Sequence, residues 1–352
     1  MPIMAVADAD RMNFRGAFAR LTLTLAGAAR LLARWSSHRW VAFGLKFAVS
    51  AALVALVSRK VDLGSLGGRL AGQSALWLLA AAATIALQIA LMTLRWERIL
   101  DALGAAVPLR RVALVTYIGS FFNSWLLGTT GGDVVRAVLM PAPALGRVGI
   151  VHSVLFDRLA TLTGLGLVLV PIVILDVGPF AHSLPLLVSL AVVPLPPIGM
   201  VVLAWSGGWF ADRGGMLFAR LRELIASWRT LCRSPGRLAG ALALAAAGQV
   251  AISATAWCLA SAQHLDVSFV DFVVLMPPVM LIVALPISAG GWGLREGAMI
   301  AALAPAGVTA GSALLVSVEM GLLTALVSLP GGAIWLLRYL GRPPLPLASA
   351  RR

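Results

Sequence analysis

Charge is what this 352-residue chain has least of: Asp, Glu, Lys and Arg together make up 12% of it. Soluble domains average about 25%. So few charges cannot cover a soluble surface, which excludes a soluble two-domain enzyme, a coiled coil and a disordered chain. Cysteine is nearly absent. Cys232 and Cys258 are too few for a disulfide framework. The four His are scattered and give no metal-ligand spacing, so neither a metal nor another cofactor is expected. No Gly-x-x-x-x-Gly-Lys-Ser/Thr string offers a nucleotide phosphate cradle. Lysine is rare too, and 26 of the 28 basic residues are Arg.

What fills the sequence is apolar: 60% of residues are hydrophobic and the mean hydropathy is +0.94. Several apolar runs reach the ~20 residues that a bilayer-spanning helix needs. Continuous rather than alternating apolarity excludes a membrane β-barrel. The fold class is therefore an all-α polytopic membrane protein. Six spans are expected, at about 41–57, 75–94, 159–175, 184–205, 238–260 and 312–337. The second is expected to stop at Arg95-Trp96-Glu97-Arg98, a membrane edge. Pro194, Pro196 and Pro197 should kink or break the fourth.

Arginine distribution sets the topology. Regions 1–40, 95–111, 206–237 and 338–352 are rich in Arg and read as cytoplasmic, whereas 176–183, 261–268 and 305–311 hold neither Lys nor Arg and read as external. Segment 59–74 carries Arg59, Lys60 and Arg69, against its external assignment. The net charge of +14 suits anionic lipid better than nucleic acid, because the Arg residues lie between apolar spans and not in one polar domain. Residues 1–40 form a basic segment in which Leu21 to Leu32 suits an interfacial helix. Met1 to Arg39 has six Arg and no long apolar run ending at a small-residue site, so no cleavable signal peptide is expected. A single membrane domain, 41–340, precedes a basic tail, 341–352.

Two apolar segments break in an unusual way. Val112 to Leu127 runs into Gly128-Thr129-Thr130-Gly131-Gly132-Asp133, followed by a short stretch to Met140. Phe269 to Ile287, interrupted by Pro277-Pro278 and Pro286, runs into Ser288-Ala289-Gly290-Gly291-Trp292-Gly293-Leu294-Arg295-Glu296. Six Gly-Gly pairs occur in the chain, and only those at Gly131 and Gly290 have Arg five residues on, at Arg136 and Arg295. The topology closes if both segments are re-entrant hairpins, the first dipping in from the cytoplasm and the second from outside. Broken backbone at membrane depth is tolerated where protein or water surrounds it. Two oppositely oriented hairpins make an inverted repeat, with halves of about 41–175 and 184–337, the pattern of a transporter whose site lies at the breaks.

The chemistry at the breaks favours an anion. Gly131, Gly132, Gly290 and Gly291 allow close backbone approach. The helix start that follows presents free N–H groups. Arg136 and Arg295 add a bidentate clamp for phosphate, two such ends meeting near the bilayer centre. The competing reading is that these arginines pair with Asp133, Glu296 or free carbonyls and only hold the breaks together. Asn123 suits a bond to the broken backbone or to a headgroup. Asp157-Arg158 reads as an ion pair near the membrane edge. Glu319, inside the last span, suits either a coupling proton or a counter-charge.

These motifs resemble a known family. Phe122-Asn123, Gly131-Gly132-Asp133-Val134-Val135-Arg136-Ala137, Phe156-Asp157-Arg158 and the string from Leu285 to Ala298 are similar to the flippase-like membrane family that includes the transmembrane domain of bacterial lysylphosphatidylglycerol synthases. The resemblance covers about 41–340. It implies movement of an anionic phospholipid or a lipid-linked glycan between leaflets of a bacterial inner membrane, with membrane lipids as partners and both termini cytoplasmic. The family often has Leu-Pro before its first Gly pair, where this chain has Leu127-Gly128, and Glu-Arg where it has Asp157-Arg158. The synthases carry a soluble aminoacyl-transferring domain after the membrane part. None follows here, so no synthase activity is expected. Two alternatives stay open: a glycosyl- or phosphotransferase acting on a polyprenyl lipid, for which 14 acidic residues are few, and a proton-coupled anion transporter. A homodimer also remains open.

The orientation is testable. With Cys232 and Cys258 replaced, Arg213→Cys should react with a membrane-impermeant maleimide only from the cytoplasmic face, and Thr309→Cys only from outside. The reverse pattern inverts the topology.

Overall fold

A computed structural model of the chain describes residues 72–125, 131–141, 144–174, 184–205, 215–284 and 292–339. Among these residues every regular element is helical, and four helices are long and apolar enough to cross a membrane. The expected span at 41–57, the interfacial stretch 21–32 and the tail fall outside the described residues.

Helix α1 covers Ala75–Ala102. Its buried residues Ala81, Ile85, Ile89, Trp96 and Leu100 recur every three to four positions or multiples of them, one face of a helix. That face continues past Arg95, so the helix does too. The expected stop at Arg95–Arg98 is corrected: the helix runs on to Ala102, with Arg95 and Trp96 buried inside protein. Then come α2 (Leu109–Trp125), α3 (Gly131–Leu139) and α4 (Gly146–Ile174). The expected fourth span is two short helices, α5 (Leu184–Val192) and α6 (Leu195–Trp205), parted before the prolines as anticipated.

The polar connection that follows holds an unexpected helix, α7 (Met216–Cys232). It buries Ile225 and Leu231 and docks on α4 through Trp228 against Phe156 (5.5 Å between rings) and Ser227 on His152 (2.9 Å). Its arginine content masked this apolar stripe in the sequence. After it lie α8 (Pro235–Ala262), α9 (Phe269–Ala284), α10 (Leu294–Leu303) and α11 (Ala310–Tyr339). Pro277 and Pro278 do not interrupt α9. The N–H groups they lack are lost without breaking it, because both rings are buried among neighbouring helices.

The last four helices repeat the first four. Lengths of 28, 17, 9 and 29 residues in α1–α4 answer to 28, 16, 10 and 30 in α8–α11. The turn after α1 has Gly104 N–H on Asp101 O, Ala105 N–H on Leu100 O and Val107 N–H on Ala105 O. The turn after α8 has His264 on Ser261, Leu265 on Ala260 and Val267 on Leu265, the same bonds 160 residues on. Gly104 and His264 both take the left-handed conformation, at φ 89° and 57°. Sequence comparison of the halves misses this, since the backbone is shared and few side chains are.

Matched helices α1 and α8 pack antiparallel. The Ser74 N–H donates to Ala262 O (3.2 Å), Trp77 meets Trp257 (5.0 Å between rings), and Thr84 bonds Thr255 (2.9 Å). Each short helix folds back: Val112 in α2 and Leu139 in α3 share one apolar cluster, while Phe272 in α9 and Leu303 in α10 share another.

Helix α11 packs closely on α2. Gly331 lies against the Tyr117 carbonyl, and Tyr117 Oη donates to Val327 O (2.8 Å). Gly331→Ala should lower the unfolding temperature by several degrees, because its methyl meets backbone and overpacking costs about 1–3 kcal/mol. Gly248→Ala, with open space around it, should leave that temperature unchanged or raise it, helix propensity favouring Ala by up to ~1 kcal/mol. Thermal unfolding in detergent distinguishes the two.

Candidate functional site

The first break is built on close backbone approach. Gly132 sits against the Gly119 carbonyl of α2, where a β-carbon would clash. Its N–H donates to Asn123 Oδ1 (2.6 Å), so Asn123 caps broken backbone. One turn on, Arg136 points into protein and is 2% exposed. Its methylenes lie over Gly119, and its guanidinium stacks 4.0 Å above the Trp96 ring, a cation–π contact. Trp96 Nε1 donates to Ser153 Oγ (3.1 Å), which fixes that ring.

Around Arg136 runs a relay of charges. Arg136 Nη2 donates to Asp157 Oδ2 (2.9 Å), and Arg95 Nε donates to Asp157 Oδ1 (2.7 Å). Arg136 Nη1 reaches Asp133 Oδ1 at 3.4 Å, and Arg158 Nε donates to Asp133 Oδ2 at 2.5 Å. Asp157 and both its partners are buried; Arg158 is not. Among the described residues, Asp157 is shared by Arg95 and Arg136, and Asp133 by Arg136 and Arg158. The buried Arg136 Nε has no hydrogen-bond partner among the described residues.

Two expectations are corrected here. Asp157 and Arg158 do not pair with each other at a membrane edge. Adjacent helical residues point about 100° apart, and Asp157 turns inward while Arg158 turns to Asp133. Arg95 was missed as a site residue. Its signal was the apolar spacing that continues through it.

The second break has the same elements in looser form. Gly290 and Gly291 lie outside the described residues. Glu296 Oε2 accepts the Gly293 N–H (2.5 Å), capping α10, while Oε1 accepts Ser317 Oγ (3.2 Å) and Arg295 Nη2 (3.0 Å). Arg295 Nε donates to Ser317 Oγ (3.1 Å), and its guanidinium lies 4.9 Å from the Trp292 ring. Ser317 stands 160 residues after Asp157, so a hydroxyl takes the place of that carboxylate. Arg295 and Glu296 balance in charge. The Arg295 side chain is 14% exposed.

The two arginines do not meet. Arg136 lies in the Trp96 cluster, against which Trp335 of α11 packs. Arg295 binds Ser317, well up the same helix. On that helix Gly321 lies against the Arg295 guanidinium and Gly331 against Tyr117, two residues before the Gly119 that Arg136 covers, so at a ~1.5 Å rise per residue the two levels are about 15 Å apart. No contact among the described residues brings the two helix starts together on one guest. Arg136 sits more than a turn into α3, whereas Arg295 is the second residue of α10. Glu319 pairs with neither arginine: Gln73 and Gln263 hold it. Among the described residues no three His, Cys, Asp or Glu side chains gather to hold a metal.

Residues 43–332 match the family model described as lysylphosphatidylglycerol synthase TM region. No curated protein matches the chain.

Removal of the shared carboxylate tests the first cluster. Asp157→Leu strands two buried guanidinium groups and should cost about 3–5 kcal/mol. Replacing Arg95 and Arg136 by Met in the same chain should recover much of that loss. Unfolding temperature in detergent checks both, and equal losses in the single and triple variants would remove the relay from the account.

Proposed function

We propose, for a chain that belongs to the family of the lysylphosphatidylglycerol synthase transmembrane region, transfer of a lipid headgroup between the leaflets of a membrane without covalent chemistry or ATP hydrolysis. The family supports a membrane lipid function. The finer reading is a flippase for an anionic phospholipid or a lipid-linked glycan, acting in a bacterial inner membrane with both termini cytoplasmic.

The observation that carries it is the buried Arg136 guanidinium, whose Nε has no hydrogen-bond partner among the described residues. A cation in a largely buried site attracts a negative group more strongly than the same charge in water. Arg158, the outer member of the cluster, is 44% exposed and bonds Asp133. An incoming phosphate meets the cluster at this exposed edge, and the buried bonds stay in place. The acyl chains, being apolar, stay in lipid while the headgroup moves.

The matched halves supply the route. Sets running in opposite directions, each with a short helix that folds back, read in a bilayer as two re-entrant hairpins from opposite leaflets among about six spans. Rocking of one half against the other then offers the headgroup to either side.

Headgroup transfer in proteoliposomes tests the reading. Purified full-length protein should speed equilibration of a headgroup-labelled anionic phospholipid several-fold over protein-free vesicles. Arg158→Ala and Arg295→Ala should each reduce that rate while leaving the protein folded. Transfer no faster than in empty vesicles, for both the phospholipid and a polyprenyl-linked sugar, would falsify it. Release of a sugar or nucleotide product would point to a transferase.

A further inference from the structure

Glu319 is buried in α11, 7% exposed, and among the described residues no arginine holds it. Gln73 Nε2 donates to its Oε1, and Gln263 Nε2 donates to its Oε2 at 3.2 Å. Gln73 stands just before α1 and Gln263 just after α8, so the carboxyl lies where the antiparallel pair ends. The charged and titratable groups nearby are few. His264 and Asp266 follow Gln263 in the turn after α8. Arg295 and Glu296 reach the same stretch of α11 through Ser317. Among the described residues none of these forms an ion pair with Glu319.

A buried carboxylate without a cation is expensive, whereas the neutral acid needs only hydrogen bonds. The site is furnished for both. Two amide N–H groups suit the carboxylate. Gln263 Oε1 is buried and without a hydrogen-bond partner among the described residues. An amide offers two donors on one side and an acceptor on the other. Turned over, Gln263 accepts the O–H of the acid. Its orphaned oxygen is thus accounted for when Glu319 carries a proton.

The placement couples this group to the second break. Ser317, two residues earlier on α11, holds Arg295 and Glu296, and Gly321, two residues later, lies against the Arg295 guanidinium. One stretch of α11 therefore faces Gln73 and Gln263 on one side and Arg295 on the other. We propose that Glu319, Gln73 and Gln263 form a proton-binding site whose occupancy sets how α11 packs on the ends of α1 and α8, and so couples lipid transfer to a proton gradient. The proton passes between the carboxyl and water. Its loss leaves a carboxylate that takes both amide N–H groups; its return turns Gln263 over to accept the O–H and loosens the hold of the two amides on α11. The coupling rests on the transfer reading above, and the proton site does not.

Infrared spectroscopy of the reconstituted protein tests the site. The wild type should show a protonated-carboxyl C=O band at neutral pH that is missing in Glu319→Gln and shifted in Gln263→Leu. Identical spectra for wild type and Glu319→Gln overturn the proposal. The coupling is read as the transfer rate with an imposed proton gradient divided by the rate without one. This ratio should exceed about threefold in the wild type and fall to one in Glu319→Gln. A wild-type ratio of one with clear transfer overturns the coupling. If no lipid moves at all, the transfer reading falls and the coupling with it, while the band still decides the site.

Discussion

Asp157 holds one arginine on each of its oxygens, and both arginines are buried with it. Placing three charges out of water is costly, and their attraction offsets that cost only when the geometry is good and the remaining donors are matched. Here Arg95 comes from α1, Arg136 from α3 and Asp157 from α4. The carboxylate therefore decides where a nine-residue helix sits relative to two long ones. Such a helix is too short to be stable alone, and it depends on neighbours for its position. Trp96 beneath the guanidinium and Asn123 at the helix start add directional constraints to the same element. Arg136 is thus first a structural cation. Any anion site has to use what the buried bonds leave open: the Arg136 Nε, without a hydrogen-bond partner among the described residues, and the exposed edge of the cluster.

The second half shows what changes when that carboxylate is missing. With Ser317 in the place of Asp157, Arg295 keeps a tryptophan and one carboxylate, but both come from its own stretch of chain. Glu296 is divided between capping α10, accepting Ser317 and accepting Arg295. Among the described residues fewer long-range bonds fix α10, and its arginine is the more accessible. The two halves share a helix order and differ in how their short helices are tied.

Much of the architecture was legible in the sequence because it rests on local rules. Apolar runs of helical length, the Gly-Gly-x-x-x-Arg breaks and the parting of α5 from α6 beside Pro194 all follow from residue chemistry over a few positions. Asn123 was read as a bond to broken backbone, and it is one. What was not legible depends on contacts between distant segments. Arg95-Trp96 looks like a membrane edge until Asp157 is known to lie 62 residues on and beside it. The repeat after α8 is hidden because His264 takes a conformation that Gly104 takes easily, and at that position the backbone decides more than the side chain. Helix α7 is hidden for the opposite reason, its arginines outweighing Ile225 and Leu231 in any reading by composition.

The separation of Arg136 from Arg295 constrains the transfer reading more than any single bond does. At about 15 Å, no single phosphate touches both. On the proposed reading a headgroup is then held by one arginine or the other and passes between them without a shared clamp. Where α1 and α8 cross, the polar groups are small or neutral: Thr84, Thr255, Ser253 and Gln249, of which all but Thr84 are buried. A charged group passing there loses hydration and gains no ion pair, so movement of the protein has to shorten the interval. The helices that can do so are α3 and α10, and of these α10 has the fewer long-range ties. Since α10 is held through Ser317 on α11, the force that moves it has to act on α11. Glu319, two residues from Ser317 and buried without a cation among the described residues, is the group on that helix whose charge can change.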